Sequence, residues 1–328
     1  MLTLVTGATG LVGNNVVRLL LERGEPVRVL VRGSSDSGSG ARALEGLPVE
    51  ICLGDVVQAE SVRQACRGVQ RVVHAAAQVH IGWTGLEAQR AINVGGTRNV
   101  VAAAAAEGAR LLYVSTVNAL GLGSLEHSAD EETPLGDAIL CPYVITKREA
   151  EQVVHEGVAG GLDAVIVNPG FMLGPWDWKP SSGQMMLQVA TGWAKLAPTG
   201  GNDVCDVRDV AAGILTALER GQRGRRYILS GEYLSFLDTW KMFASIIGVP
   251  PPWRKAYPPG LWFYGHAGDL WGKLTGREPG LNSAAVEMSK LEHHYSYARA
   301  AAELDYRPRP ASEAAESAWA WFREYGYA

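Results

Sequence analysis

Tyr143 and Lys147 stand four residues apart in Tyr143-Val144-Ile145-Thr146-Lys147, which on a helix places phenol and ammonium on one face. A free tyrosine has a pKa near ~10, and an adjacent cation stabilises its phenolate, so such a pair can exchange a proton with a substrate oxygen near neutrality. At the other end of the chain, Val5-Thr6-Gly7-Ala8-Thr9-Gly10-Leu11-Val12-Gly13 sets glycines between a first β-branched run and a helical pattern. Glycine lets the backbone approach a pyrophosphate, and the following helix N-terminus offers free N–H groups and a positive dipole. One segment is suited to hold phosphate and the other to move a proton.

Both need a scaffold that brings them together. Short, almost wholly apolar runs at Leu2–Thr6, Val27–Val31, Val49–Leu53, Arg71–His74, Leu111–Ser115 and Ala164–Asn168 read as strands. They alternate with helical patterns near Val12–Arg23, Glu60–Cys66, Leu86–Glu107 and Tyr143–Gly157. This order predicts an α/β fold with a doubly wound parallel sheet of the Rossmann type, covered on both faces. Gly33–Gly40, GSSDSGSG, reads as a flexible surface loop. After Pro169 the rhythm gives way to Gly/Pro-rich loops and aromatic residues, with regular α/β pattern returning around Val207–Leu229. The expected organisation is a nucleotide-binding domain of residues 1–170 plus about 206–231 and a smaller substrate lobe from about 171–205 and 232–315. A C-terminal helix, 316–328, is expected to rejoin the sheet domain.

Composition narrows the function classes. With 47% hydrophobic and 20% charged residues in 328, the chain can bury a sizeable core. A net charge of −4 without long like-charge runs carries no footprint for nucleic acid or an anionic membrane, so a small-molecule partner is expected. No apolar run is long enough to span a bilayer, since Glu107 and Arg110 break the Ala-rich stretch from Val100. Cys52, Cys66, Cys141 and Cys205 show neither a disulfide framework nor zinc spacing, and the start Leu2-Thr3-Leu4-Val5 lacks a basic leader. A cytoplasmic protein without metal is the expectation. Ten tryptophans outnumber five phenylalanines, and only Trp83 precedes residue 170. The aromatic surface is thus concentrated in the variable half.

The G-x-x-G-x-x-G spacing of Gly7, Gly10 and Gly13, with the Tyr143/Lys147 pair, resembles the short-chain dehydrogenase/reductase superfamily, and the length fits its extended branch. Asp130-Glu131-Glu132-Thr133-Pro134, Val207-Arg208-Asp209-Val210-Ala211 and Leu304-Asp305-Tyr306-Arg307-Pro308 are similar to landmarks of that branch. The resemblance implies a nicotinamide cofactor held by Gly7, Thr9, Gly10, Leu11, Val12 and Gly13, by Asp55 and Val56, by Ala75, Ala76 and Ala77, by Tyr143 and Lys147, and by Asn168 and Pro169. The second strand ends in Arg32, with Ser34, Ser35 and Arg42 nearby and no acid before Asp36, which favours NADP over NAD. Counting back from Gly121 in the family pattern selects Thr116 as the catalytic hydroxyl, with Ser115 as the alternative. Asn93 resembles the helix asparagine that supports a water network beside the lysine; its alternative is a packing or capping role. His74 reads as a packed strand-end histidine, and His293-His294 lacks flanking metal ligands.

Two departures argue against a nucleotide-sugar substrate. Leu120 stands where epimerases and dehydratases of the branch usually carry tyrosine, and the loop Phe171-Met172-Leu173-Gly174-Pro175-Trp176-Asp177-Trp178 replaces their V-Y-G-P run. Arg277-Glu278-Pro279-Gly280-Leu281 and Tyr295-Ser296-Tyr297-Ala298-Arg299-Ala300 are similar to dihydroflavonol-reductase-like and hydroxysteroid-dehydrogenase-like members. That likeness implies reduction of a ketone or aldehyde on an apolar, ringed small molecule, or oxidation of the alcohol. Gln78, Trp83, Thr116 and Val117 are expected on the substrate side. Phe171, Met172, Trp176, Trp178, Met185 and Met186 are expected to supply its apolar walls, or else the core of a small lobe. A nucleotide-sugar epimerase or dehydratase is the alternative, and a non-catalytic NADP(H) sensor the second; a homodimer is the oligomeric form the resemblance implies.

Overall fold

A computed structural model describes residues 1–33, 39–136, 139–192, 195–256 and 258–328. Strand β1 (Thr3–Thr6), helix α1 (Leu11–Glu22) and strand β2 (Val27–Val31) form the first β-α-β unit, followed by α2 (Ser39–Leu44), β3 (Glu50–Leu53), α3 (Ala59–Cys66) and β4 (Arg71–His74). Helix α4 (Leu86–Arg90) passes through a π-helical turn, Ala91–Gly95, into α5 (Gly96–Glu107), and β5 (Arg110–Val114), α6 (Pro142–Ala159) and β6 (Ala164–Pro169) follow. The second half contains β7 (Phe171–Leu173), α7 (Gly183–Ala190), β8 (Leu196–Ala197), β9 (Gly201–Asp206), α8 (Val207–Arg220), β10 (Arg226–Leu229) and β11 (Glu232–Ser235). It closes with α9 (Phe236–Ile247), β12 (Arg254–Lys255), α10 (Pro258–Thr275), α11 (Ser283–Met288), β13 (Glu292–His293), α12 (Ala298–Leu304) and α13 (Ala311–Glu324).

Seven parallel strands build one sheet in the order β10-β6-β5-β4-β1-β2-β3. Successive strand residues serve opposite faces. Val5, Val29, Val73, Leu112 and Val165 pack with Val16 and Leu20 of α1 and with Ile214 and Leu218 of α8. Leu4, Leu30, Val72, Leu111 and Ile166 pack with Val62 of α3, Val100 and Ala104 of α5, and Val154 of α6. Burial on both faces is why these strands read as continuous apolar runs. Strand β3 departs from that rule because it is the sheet edge: Ile51 is 53% and Leu53 71% exposed. From β1 the chain winds outward to β3, then returns to β4 and winds the other way. That reversal opens a crevice at the carboxyl ends of β1 and β4.

A second sheet is centred on β9, antiparallel to β11 and parallel to β7 and β13. The C-terminal helix begins earlier than the sequence pattern predicts, at Ala311, and it does not rejoin the large sheet. Its Ala314, Ala315, Ala318, Trp321 and Phe322 instead pack with Met186, Val189 and Phe243 of α7 and α9. Ala300 and Leu304 of α12, with Tyr306, are the late segment that joins the large-sheet core beside α8. The expected single helix Leu86–Glu107 is interrupted by the π-helical turn around Asn93. Next to it Gly96 lies so close to the post-β3 loop that a Cβ there would sit 2.9 Å from the Val56 side chain. Residues 34–38 of the expected surface loop, with Ser34 and Ser35, lie outside the described residues, and Ser39–Leu44 is helical.

Candidate active site

The loops after β1, β3 and β4 meet at the crevice. Gly7 takes φ +73°, and a Cβ on it would lie 2.6 Å from the backbone of Ala75 and Ala76; one on Gly13 would lie 2.2 Å from the Gly7 carbonyl oxygen. These glycines let the loops close on each other, and Ala75 N–H donates to the Thr6 carbonyl. Gly10 differs: its Cβ direction meets only the Gly7 oxygen, at 3.4 Å. It caps α1 without any side-chain cap, so the first N–H groups of Leu11, Val12 and Gly13 face the crevice end uncapped by a side chain. The donor set and the glycine cradle fit a pyrophosphate. Asn14, which sequence reasoning missed, is fully buried and donates to the Ala8 and Ala43 carbonyls, fixing the far side of the loop. Gly54 N–H donates to Val31 O, drawing Asp55 and Val56 to the end of β2, where Arg32 is exposed. Arg42 lies 5.3 Å over the ring of Trp178 and packs on the second lobe.

The candidate proton-handling residues meet at the carboxyl end of β5. Pro142 occupies the first turn of α6, where its missing N–H costs nothing, and Tyr143 follows it, 8% exposed. Burial pushes the Tyr143 phenol up to about 12, and a hydrogen bond with the Thr116 hydroxyl pulls against that rise. Thr116 is the hydroxyl that acts on the phenol, while Ser115 Oγ is buried without a hydrogen-bond partner among the described residues. Lys147 is 2% exposed, donates from Nζ to Val114 O at 2.8 Å, and lies 4.5 Å over the Tyr113 ring. Burial lowers its ammonium to about 7, with Glu151 opposing. The pair shares a face, but Lys147 is not among the groups that move the Tyr143 phenol here, because its ammonium is turned to the β5 backbone.

Asn93 does not contact Lys147 through its side chain. Its Oδ1 accepts from Gln78 N at 2.8 Å, while Nδ2 donates to Gln78 O at 3.1 Å and to Thr146 Oγ1 at 3.0 Å, clamping the post-β4 loop to α6. Asn168 is fully buried, and its Nδ2 donates to the Thr116 carbonyl and to Glu151. This side chain braces the segment that carries Thr116, and Pro169 is held in the sheet beside Leu229. His74 is buried between the hydroxyls of Thr6 and Thr97, and burial lowers its imidazole to about 3.

Of the two places expected for the aromatic and methionine side chains, the core of the small lobe holds Trp178 and Met186. Trp178 is 4% exposed and stacks edge-on to Trp321 and Tyr325 at 5.1 and 5.0 Å. Met186 is fully buried in the same cluster, and Phe171, Met185 and Trp176 pack against it. Trp176 is further covered by Arg18, 3.3 Å from its ring centroid. Met172 packs against the large-sheet core, and Val117 is buried with Leu120 and Tyr295. Trp178, Met186, Phe171, Met185 and Trp176 thus hold the second lobe together, while Met172 and Val117 pack elsewhere. The groups actually packed with Tyr143 are Cys141, Val144, Ala284 and Met288, with Ile81, Ile139 and Leu291 at their edge. Trp83 is tied there too: its indole donates to Ser283 Oγ at 2.7 Å and its backbone N–H to Glu278. Burial works against the Glu278 charge, yet hydrogen bonds from Thr84, Trp83 and His80 outweigh it and hold the carboxyl at about 2. The pairing of residues 78–84 with 278–291 left no local sequence signal beyond the Arg277-Glu278-Pro279-Gly280-Leu281 likeness.

Residues 3–230 match the model of the NAD dependent epimerase/dehydratase family. Over 98% of its length the chain is 35% identical to 95% of a putative dihydroflavonol 4-reductase from Synechocystis sp.. It is 36% identical to sterol demethylase protein B of Methylococcus capsulatus, with 99% of each chain covered. The solved structure of gox2253 superposes with a TM-score of 0.86 at 38% identity, covering 99% of this chain and 98% of that one. The protein belongs to the NAD dependent epimerase/dehydratase family, in the extended short-chain dehydrogenase/reductase class. It is an NAD(P)-dependent oxidoreductase.

Proposed function

We propose that this enzyme is an NADP-dependent reductase of a ketone or aldehyde on an apolar, ringed small molecule. The observation that carries the reading is the buried Tyr143, its phenol influenced by the Thr116 hydroxyl and its ring clustered with apolar groups from α11 and the post-β4 loop. A phenol held at about 12 is protonated throughout the neutral range, which suits it to donate to an oxygen that is gaining negative charge. Thr116 would align that oxygen, and Lys147, whose charged form Glu151 favours against burial, would favour the phenolate left behind once its ammonium turns from the Val114 carbonyl toward the phenol. Gly7, Gly10, Gly13 and the first turn of α1 would hold the pyrophosphate, and Arg32 the 2′-phosphate. When bound, the nicotinamide supplies the hydride or, in the reverse direction, accepts it.

The relatives named for a flavonoid ketone and for a sterol support a ringed, apolar substrate, as do Ile81, Ala284 and Met288 around the phenol. The test is NADPH oxidation across aromatic and steroidal ketones, aldehydes and small keto compounds. Absence of turnover on all of them by cofactor-loaded protein would overturn the reading. Product from a UDP- or GDP-sugar without net NADPH consumption would reassign the enzyme as an epimerase or dehydratase.

A further inference from the structure

Helix α10 is built inside out. Its glycines face the protein: a Cβ on Gly265 would lie 3.0 Å from Ser283 Cα, one on Gly268 2.0 Å from Leu281 O, and one on Gly272 3.1 Å from Glu278 Cα. These positions share one helical face, so the backbone of α10 seats directly on residues 278–283. The large apolar side chains are left outside, with Trp262 53%, Phe263 65%, Tyr264 62%, Leu270 59%, Trp271 62% and Leu274 76% exposed. A helix of a water-surrounded protein normally buries that stripe.

The exposed charges of this segment have one sign. Among the described residues of 253–281, the exposed charged side chains are Arg254, Lys255, Lys273 and Arg277. Both acids of the segment are turned inward and engaged: Asp269 accepts from Ser283 N–H at 2.9 Å, and Glu278 holds Trp83, Thr84 and His80. An aromatic helix whose own exposed charges, Lys273 and Arg277 just after it, are cations therefore sits on a chain whose net charge is −4, a balance that conceals it.

We propose that α10 is a peripheral docking face for a bilayer containing anionic lipid. Trp and Tyr, apolar in body and polar at the tip, suit the headgroup boundary, Phe263, Leu270 and Leu274 suit the acyl region, and Lys273 and Arg277 meet acidic headgroups. A second copy fits less well, because a two-fold contact through this face would oppose like cations. No helix among the described residues is long and apolar enough to cross a membrane, and α10 would lie along the surface with its glycine face still on the protein. Through α11, which supplies Ala284 and Met288 beside Tyr143, docking would set the apolar side of the site toward lipid.

The test uses the full chain with sucrose-loaded vesicles of phosphatidylcholine alone or with about one third phosphatidylglycerol, read by co-sedimentation. Binding to the anionic vesicles is expected, weakened by salt. Each basic residue near such a surface is worth about fivefold in partition, so Lys273→Glu with Arg277→Glu should lower binding more than tenfold. Trp262→Ser with Trp271→Ser and Leu274→Ser should abolish it while the thermal midpoint stays within a few degrees; should that variant fail to fold, the charge reversal still decides. Failure of the wild-type chain to bind, or binding unchanged in the charge-reversed variant, overturns the proposal. A loss of self-association in sedimentation velocity, without any lipid binding, assigns the face to a second copy instead.

Discussion

Glu151 sits one turn beyond Lys147 on α6 and divides its carboxylate between the Asn168 amide at 2.7 Å and the Arg226 guanidinium at 3.1 Å. The same Asn168 Nδ2 donates to the Thr116 carbonyl, so one buried carboxylate acts on both the ammonium and the segment carrying the hydroxyl. Arg148, His155 and Tyr113 also feel its charge. Burial lowers the Lys147 ammonium to about 7, and Glu151 raises it, so removing that charge must lower it further. If activity requires charged Lys147, the alkaline fall of kcat/KM should begin near neutrality. Glu151→Gln, which preserves an oxygen for Asn168, should move that fall to lower pH by about one unit. An unshifted profile would show Glu151 to be structural only.

Tyr143→Phe removes the proton while preserving the ring packed among Cys141, Val144 and Met288. The expected loss in kcat is about 10²–10⁴-fold, with NADPH affinity unchanged by fluorescence titration. Thr116→Val should lower kcat less, since it leaves the donor in place. Equal activity of wild type and Tyr143→Phe would refute the assigned chemistry.

What the sequence could show was local. Gly7, Gly10 and Gly13 occupy one turn, Tyr143 and Lys147 one helix face, and each strand up to β6 except the edge strand β3 carries its two-face burial in its own residues. The proposed substrate side was illegible because it is assembled across the chain. Glu278 meets Trp83 and Thr84 from 195 and 194 residues away, and no pattern within either segment announces that partnership. Tryptophan content misled for a related reason. An aromatic residue reads alike whether it lines a pocket or packs on Trp321, and only the position of α13 decides between them.

Arg32 provides the test of cofactor preference. Arg32→Asp places an acid where the ribose 2′-hydroxyl would be met and a 2′-phosphate repelled. The ratio of kcat/KM for NADPH over NADH should fall by about tenfold or more, with the carbonyl substrate's KM unaltered. An unchanged ratio would remove Arg32 from the cofactor site.

Asp203 of β9 gives a pH-dependent stability prediction. Burial raises its carboxyl to about 7, against hydrogen bonds from Tyr295 N–H and Ser230. The folded state therefore binds this proton more tightly than the unfolded chain. The resulting stabilisation is complete below the unfolded value near ~4 and is lost as pH rises through about 7. Asp203→Asn keeps the acceptor for Tyr295 and lacks the charge. Its thermal midpoint should exceed wild type by about 2–5 °C at pH 8, with the gap closing toward pH 4. An equal gap at both values would show that packing, not ionisation, is responsible.

Trp178 and Ile81 separate the lobe core from the proposed substrate wall. Trp178 is enclosed by Trp321 and Tyr325, and Tyr327 Oη donates to its carbonyl at 2.9 Å. Trp178→Ala should cost about 3–5 kcal/mol of stability, with the folded fraction retaining its KM for the carbonyl substrate. Ile81, half-buried at the edge of the Tyr143 cluster, removes little core when shortened. Ile81→Ala should raise that KM by about tenfold while leaving the thermal midpoint and NADPH affinity nearly unchanged. Thermal unfolding and steady-state kinetics on both variants distinguish the two roles. A raised KM in Trp178→Ala without loss of stability would return the tryptophan pair to the substrate wall.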